Sequence, residues 1–331
     1  MQKFVNGQNS MVDESIIGFV KCYPDIVAHT DCARTLKYTK APVADKVGVV
    51  SGGGWGHEPA FMGYIGKNML DAVAIGNTFT PPSVESFCAA FRAADAGKGV
   101  VCLYGNYPKD IVNAEKAIEI VAAEGIRVIS VISNDDIATT DPRTRRGTTG
   151  EVFLWKIGGA AAALGYDQEL VARVSMKALN NTRSIGVGLA SCIIPEVGRP
   201  NYLIEKGTME IGVGHHGLPG SDTCKLKSAD ATAEIMLSEL IKDMPLSRGD
   251  RVAVMMSGLG NTMLSELHIL FSKVYDVLQG SGIAIHRAYV GNYFTSLDMM
   301  GATLTLMRTD EELRRLLDYP GYAASLNHFI R

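Results

Sequence analysis

Charge is scarce in this chain: Asp, Glu, Lys and Arg make up 20% of 331 residues, and the formal net charge is only −3. No block of like charges stands out, which argues against a polyanion-binding groove or an acidic tail. The densest basic cluster, Arg143 to Arg146, holds three arginines without interleaved aromatics, so nucleic acid is a poor partner and a solvated loop is expected there. Long apolar runs are missing too. None approaches the ~20 residues of a membrane span, and the opening MQKFVNGQNS has no signal-like apolar core, so a soluble, cytoplasmic protein is expected. The six cysteines (Cys22, Cys32, Cys88, Cys102, Cys192, Cys224) form no CxxC pair and show no zinc-type spacing. Several sit in apolar runs such as VVCLY, which reads as free thiols in a reducing compartment. Dinucleotide fingerprints fail as well: around SGGGWGHEP (51–59), GxGxxG needs glycine at 57 or 59, where His57 and Pro59 stand. The second strand ends in AIGN, without the acidic residue that would hold a ribose, and GYIGKN has neither the spacing nor the Ser/Thr of a Walker loop.

What is present is ample apolar material, 47% of the residues, in a chain longer than one core usually serves. From about residue 43 to 160, short apolar runs at 46–50, 71–76, 99–105 and 126–133 read as strands, and 58–68, 83–96 and 110–125 carry helical period. Two further helices are expected at 150–164 and 167–181. A second series follows, with strands at 183–190, 208–214, 251–258, 284–291 and 303–307, and helices at 229–244, 262–279 and 310–318. The spacing predicts two α/β domains, 1–182 and 183–331, each with a largely parallel or mixed sheet flanked by helices.

Three turns carry chemistry. In SGGGWGHEP, Gly54 and Gly56 flank Trp55 and let the backbone approach a ligand, with a helix N-terminus expected beyond. YGNYPKD (104–110) follows the third strand, so Asp110 and His57 are expected at one edge of one sheet, where they can act as a general base and its hydrogen-bonding partner. The competing reading makes Asp110 a cap of the helix that starts there. GVGHHGLPG (212–220) sets His215 and His216 among glycines, leaving a neutral imidazole accessible to a carbonyl compound. Asp222 is the only acidic neighbour, too little for a metal, and no metal site is expected. A fourth turn, SGLGNT (257–262), is consistent with tight strand–helix packing.

In order along nearly the whole chain, SGGGWGHEPAFMGYIG, NYPKDIVNAE, RRGTTGEVFLWKIGGAAA, MEIGVGHHGLPG, SGLGNT and VGNYFTSLDMMG resemble the motifs of the substrate-binding subunit of dihydroxyacetone kinase. The resemblance implies that His216, the residue just before Gly217, attacks the ketone carbon of a short ketose and holds it as a hemiaminal. It implies substrate binding by Gly54, Trp55, Gly56 and His57, with Asp110 taking the proton of the terminal hydroxyl and His57 assisting. It further implies a homodimer in glycerol metabolism that binds no cofactor itself. ATP-Mg, or a nucleotide relayed by a phosphotransferase-system protein, would sit on a separate helical subunit.

Six positions depart from the family pattern: Trp55, Phe61, Gly105, Lys109, His215 and Leu218. Gly105 stands where a lysine commonly contacts substrate, which leaves room for a ketotetrose such as erythrulose beside dihydroxyacetone. Trp55 could fill space or stack on a sugar face, and His215 is expected to pack inward. The rival function is a ketose-binding sensor or coactivator that transfers nothing.

Overall fold

The computed structural model describes residues 3–7, 10–200, 202–217 and 219–328. Its elements are numbered in chain order. α1 (Met11–Cys22) precedes β1 (Val27–His29), β2 (Thr35–Tyr38), β3 (Gly48–Trp55), β4 (Gly66–Lys67), β5 (Ala72–Thr78), α2 (Val84–Ala94), β6 (Val100–Gly105), α3 (Pro108–Ala122) and β7 (Val128–Ser133). Six of these strands form a sheet in the order β1-β2-β5-β3-β6-β7. β5, β3, β6 and β7 run parallel, and β1 and β2 extend the sheet antiparallel. Parallel neighbours need crossovers, and α2 and α3 supply them. Phe87, Ala90 and Phe91 of α2 and Ala114, Ala117 and Val121 of α3 pack with Val50, Ala72, Ala74 and Cys102 of the strands. β3 is buried along its full length, as a central strand covered on both faces must be. α4 (Glu151–Ala163) is buried on every side, in keeping with its FLWKIGGAAAA run, apolar except for Lys156, whose Nζ donates to Leu316 O and Tyr319 O. α5 (Gln168–Asn180) follows.

β8 (Thr182–Ala190), β9 (Thr208–Ile211), β10 (Asp222–Lys225), α6 (Ala229–Asp243), β11 (Arg251–Gly258), α7 (Leu264–Gly280), β12 (Ala284–Gly291), β13 (Met300–Arg308) and α8 (Glu311–Asp318) come next. The second sheet runs β10-β9-β8-β13-β11-β12, with β11 and β12 its parallel pair and its other pairs antiparallel. Met236, Leu237 and Leu240 of α6 and Leu267, Val274 and Leu278 of α7 close its core against Ile185, Val254, Leu304 and Leu306. β14 (Gly321–Ala323) pairs with β4 on one side and β15 (Asn327–His328) on the other in a small third sheet.

Both sheets fit the expected mixed α/β class, but the division of the chain differs from a single break near 182. One compact unit comprises residues up to Ser133, Phe153–Lys177 and residues from Arg315 onward; the other comprises Asn134–Val152 and Ala178–Arg314. The reason is backbone pairing. Ile137 donates to Ser184 O and Ser184 donates to Asp135 O, so the 135–137 segment lies along β8. The helix expected at 58–68 is absent. In its place stands a 3-10 turn, Met62–Tyr64, followed by β4. Residues 60–66 are all buried, so the segment has no polar face to give an amphipathic helix. Among the described residues, no helix is long and apolar enough to cross a membrane.

Candidate functional site

Parallel pairing of β3 and β6 sends the glycine-rich turn and the Asp110 segment out from the same edge of the first sheet. The glycines of the turn answer first to internal packing. A Cβ on Gly53 would stand 2.1 Å from the Phe61 ring, and one on Gly54 would stand 2.8 Å from Thr80 N. Gly56, at φ 109°, holds a conformation that side chains rarely adopt. The Trp55 indole is buried and donates to Ser15 Oγ at 2.8 Å, so it fastens α1 to the turn. At 8% exposure the residue has little ring surface open to stacking.

His57 is only 1% exposed. Its ring stacks on Phe79, with centroids 5.0 Å apart, and meets the Phe61 edge at 6.4 Å. Phe61 also packs on Trp155 at 5.4 Å. Glu58, which the sequence analysis did not single out, accepts from Gly56 N at 3.3 Å, and burial pushes its carboxyl up to about 7. Phe79 was missed as well, because a stacking partner 22 residues along the chain leaves no local signal.

Asp110 does not cap its helix. The N-cap of α3 is Tyr107, with no side-chain cap bond, and Asp110 lies in the first turn. Its half-buried carboxyl is pushed up to about 7, chiefly by desolvation, with the opposing backbone hydrogen bond too weak to offset it. A base with that pKa is poised near neutral pH. Gly105 ends β6, buried, with no side chain at the mouth of the turn, while Lys109 is exposed on α3.

The second cluster lies in the other unit. His215 is 1% exposed and stacks on Phe294 with centroids 4.7 Å apart. Its Nε2 lies 3.1 Å from Thr303 Oγ1 and 3.5 Å from Thr149 Oγ1. His216, its neighbour, is only partly buried. Of the pair, His215 is the imidazole turned fully into the protein. The loop is closed at its base, where Glu210 Oε2 accepts from Gly220 N at 2.7 Å and Ser221 N donates to Ile211 O at 2.8 Å. Leu218 lies outside the described residues.

The arginine cluster expected to be solvated is largely folded in. Arg145, 5% exposed, pairs with Asp243, which Arg183 also engages. Arg146 pairs with Asp136 and donates to Gly212 O at 3.0 Å. Only Arg143 remains at the surface, paired with Asp141. The correction has a plain cause: buried or half-buried carboxylates, distant in sequence, supply partners that a composition count cannot see. All six cysteines are free thiols. Among the described residues, no group of three or more His, Cys, Asp or Glu side chains could hold a metal ion.

Comparison with known proteins is consistent along the chain. The model of the Dak1 domain matches residues 17–325. The PTS-dependent dihydroxyacetone kinase 2, dihydroxyacetone-binding subunit DhaK, of Listeria innocua is 37% identical over 322 residues, covering 97% of each chain. The L-erythrulose 1-kinase of Mycolicibacterium smegmatis is 35% identical over 328 residues, 97% of this chain but 57% of the relative. Among solved structures, the native dihydroxyacetone kinase of C. freundii superposes with a TM-score of 0.91 at 29% identity, covering 99% of this chain and 60% of that one. The dihydroxyacetone kinase operon co-activator Dha-DhaQ gives 0.90 at 29% identity, covering 96% of this chain and 99% of the other. The chain therefore spans nearly all of the stand-alone subunits and a little over half of the longer kinases.

Proposed function

The chain belongs to the Dak1 domain family, and on that premise we propose that it is the ketose-binding subunit of a dihydroxyacetone-type kinase. The observation that carries the reading is the difference within the His-His pair: His215 is buried and stacked on Phe294, while His216, on the same glycine-framed loop, is only partly buried. A neutral ring nitrogen of His216 adds to the ketone carbon. A C–N bond forms as the C=O π bond opens, the other ring nitrogen releases its proton, and the alkoxide oxygen takes one up, so that a neutral hemiaminal results with no net change in protons. Only a carbonyl compound can be held in this way, which separates ketoses from polyols.

For phosphoryl transfer, the terminal hydroxyl oxygen attacks the donor's phosphorus, its proton passes to Asp110, and the bond from phosphorus to the donor's leaving group breaks. A carboxyl near 7 is suited to that task. His57, fixed between Phe79 and Phe61, assists by orientation. Gly54, Trp55, Gly56 and Gly105 contribute backbone and space at the same edge of the first sheet, and there is no lysine at 105 to shorten the substrate. Dihydroxyacetone and a ketotetrose such as erythrulose are the substrates proposed, in keeping with the erythrulose kinase among the relatives. The donor is bound by a separate helical nucleotide-binding subunit, as ATP-Mg or as a nucleotide recharged through a phosphotransferase-system protein; the Listeria relative is likewise the dihydroxyacetone-binding subunit of a PTS-dependent kinase. A cytoplasmic homodimer is part of the proposal.

The match to the Dha-DhaQ co-activator supports a second reading, capture without transfer. Asp110 favours catalysis, because a pure sensor needs no base titrating near neutrality. Intact-protein mass spectrometry after incubation with dihydroxyacetone or erythrulose tests capture, with His216→Ala as control. Phosphorylation of the captured ketose by a nucleotide-loaded helical subunit then separates kinase from sensor. Absence of any adduct on the folded protein refutes the capture reading, and capture without transfer makes the chain a sensor.

A further inference from the structure

The loop that carries His216 is gripped by one guanidinium. Arg146 Nε and Nη2 lie 2.8 Å and 2.6 Å from Asp136 Oδ2, and Nη2 also donates to Gly212 O at 3.0 Å. A Cβ on Gly214 would lie 2.4 Å from Arg146 Nη1, so the guanidinium rests directly against the loop backbone where a side chain would otherwise stand. Asp136 is itself fixed: its backbone N–H donates to Arg146 O at 3.1 Å, and its Oδ1 accepts from Ala138 N at 2.9 Å. From the other side, Gly212 N donates to Gly186 O of β8 at 2.7 Å. Two residues beyond Gly214 stands His216.

We propose that Arg146 is a positioning residue for His216. Its guanidinium, held by Asp136, clamps the histidine loop at Gly212 and Gly214 and so fixes the direction in which the imidazole meets a carbonyl carbon. The proposal rests on the capture reading above. An arginine suits the role because its planar fork serves the carboxylate and the carbonyl at once, which a lysine point charge cannot do. The grip is largely withdrawn from water. Asp136 is buried, and its carboxyl is raised to about 6 in spite of the neighbouring guanidinium. Charge-assisted bonds in such a setting resist screening by salt.

The test compares Arg146→Gln, Arg146→Lys and Arg145→Gln with wild type in the full-length chain. Hydrogen exchange over residues 211–217 is followed alongside the kinetics of adduct formation with dihydroxyacetone. In Arg146→Gln, exchange in the loop is expected to accelerate at least about tenfold. The maximal rate of adduct formation should fall roughly 10- to 100-fold, the scale of a reacting group displaced by about 1 Å. The half-saturating ketose concentration should stay within about twofold, since ketose binding ahead of bond formation does not use Arg146. Arg146→Lys should fall between the two. Arg145→Gln, which loses the tie to Asp243 instead, should lower the melting temperature and leave loop exchange and capture unchanged. Loop exchange unaltered in Arg146→Gln overturns the proposal, as does faster exchange with an unaltered capture rate. If Arg146→Gln loosens the whole unit, Arg146→Lys decides, and wild-type behaviour there refutes the clamp. A wild-type protein that forms no adduct removes the capture reading and this role with it, a failure readily told apart because loop exchange is measured independently.

Discussion

Replacing Asp110 by Asn should stabilise the protein while stopping phosphoryl transfer. The carboxyl stands in the first turn of α3, where the helix dipole favours an anion by roughly 0.3–1 kcal/mol. Desolvation outweighs that help and raises the carboxyl from 3.8 to about 7. Each unit of pKa corresponds to about 1.4 kcal/mol, so the ionised carboxylate costs the folded state about 4 kcal/mol before solvent relief. Because Asp110 is only half-buried, about 2–4 kcal/mol is the working range. The sign follows from proton linkage. Between the unfolded and folded pKa values the native state binds more protons, so stability falls as pH rises from about 4 to 7. Below that window the cost vanishes, and above it the cost is complete.

Asn keeps the shape without the charge. The stability gap between Asp110→Asn and wild type should therefore widen by about 2 kcal/mol between pH 5 and pH 8. Urea unfolding followed by tryptophan fluorescence reads this directly, since Trp55 and Trp155 both belong to the compact unit that contains Asp110. Phosphoryl transfer by wild type should rise with pH through about 7 as Asp110 loses its proton. The variant should lose that rise and about 10²–10⁴ in rate, with hemiaminal formation intact. A stability gap that is absent at pH 8, or flat with pH, would mean that the carboxylate is well solvated, and the assignment of Asp110 as a base tuned to neutrality would fail.

His216→Ala should abolish the ketose adduct, whereas His215→Ala should retain it and cost about 3 kcal/mol of stability through the emptied stack on Phe294; loss of capture in the His215 variant alone reverses the assignment. Trp55→Phe should cost about 1 kcal/mol in urea unfolding, for the lost bond to Ser15, and leave capture and turnover unchanged. A large rise in the half-saturating ketose concentration would instead put the indole on the substrate. Lys46→Met strands the buried Asp71 carboxylate, which Lys46 and Val49 N–H hold, and should cost about 3–5 kcal/mol by thermal or urea unfolding; a change under about 1 kcal/mol would show that solvent reaches Asp71.

Most of the central strands and flanking helices were legible because each reports itself locally, the strands as short continuous apolar runs that are buried on both faces and the helices through a 3.6-residue period. Segment 58–68 misled because its apolar residues are buried on all sides, and a periodic face carries no information where there is no solvent. The short strands β1 and β2 gave too few residues to show alternation. The interleaving of the two units was invisible for another reason. It depends on the 135–137 segment lying beside Ser184, a pairing some 50 residues apart that no local pattern encodes.

The same distinction separates what was legible at the candidate site from what was not. His57, Asp110 and the adjacent His215 and His216 each follow or start an element in a glycine- or proline-marked turn, so type and spacing within ten residues brought them forward, while the choice of His216 within the pair came from the family resemblance. What orients them is assembled from afar: Phe79 under His57, Phe294 and Thr303 against His215, and Arg146 on Gly212, 66 residues away along the chain. Read as composition, Arg146 was one charge in a surface run. Set against the carbonyl of Gly212 and the space over Gly214, it becomes the side chain proposed to orient His216. Reactive groups are written in local residue choice, and their aim is written in long-range contacts. A sequence can therefore bring forward candidate reactive groups before it can name the contacts proposed to hold them in place.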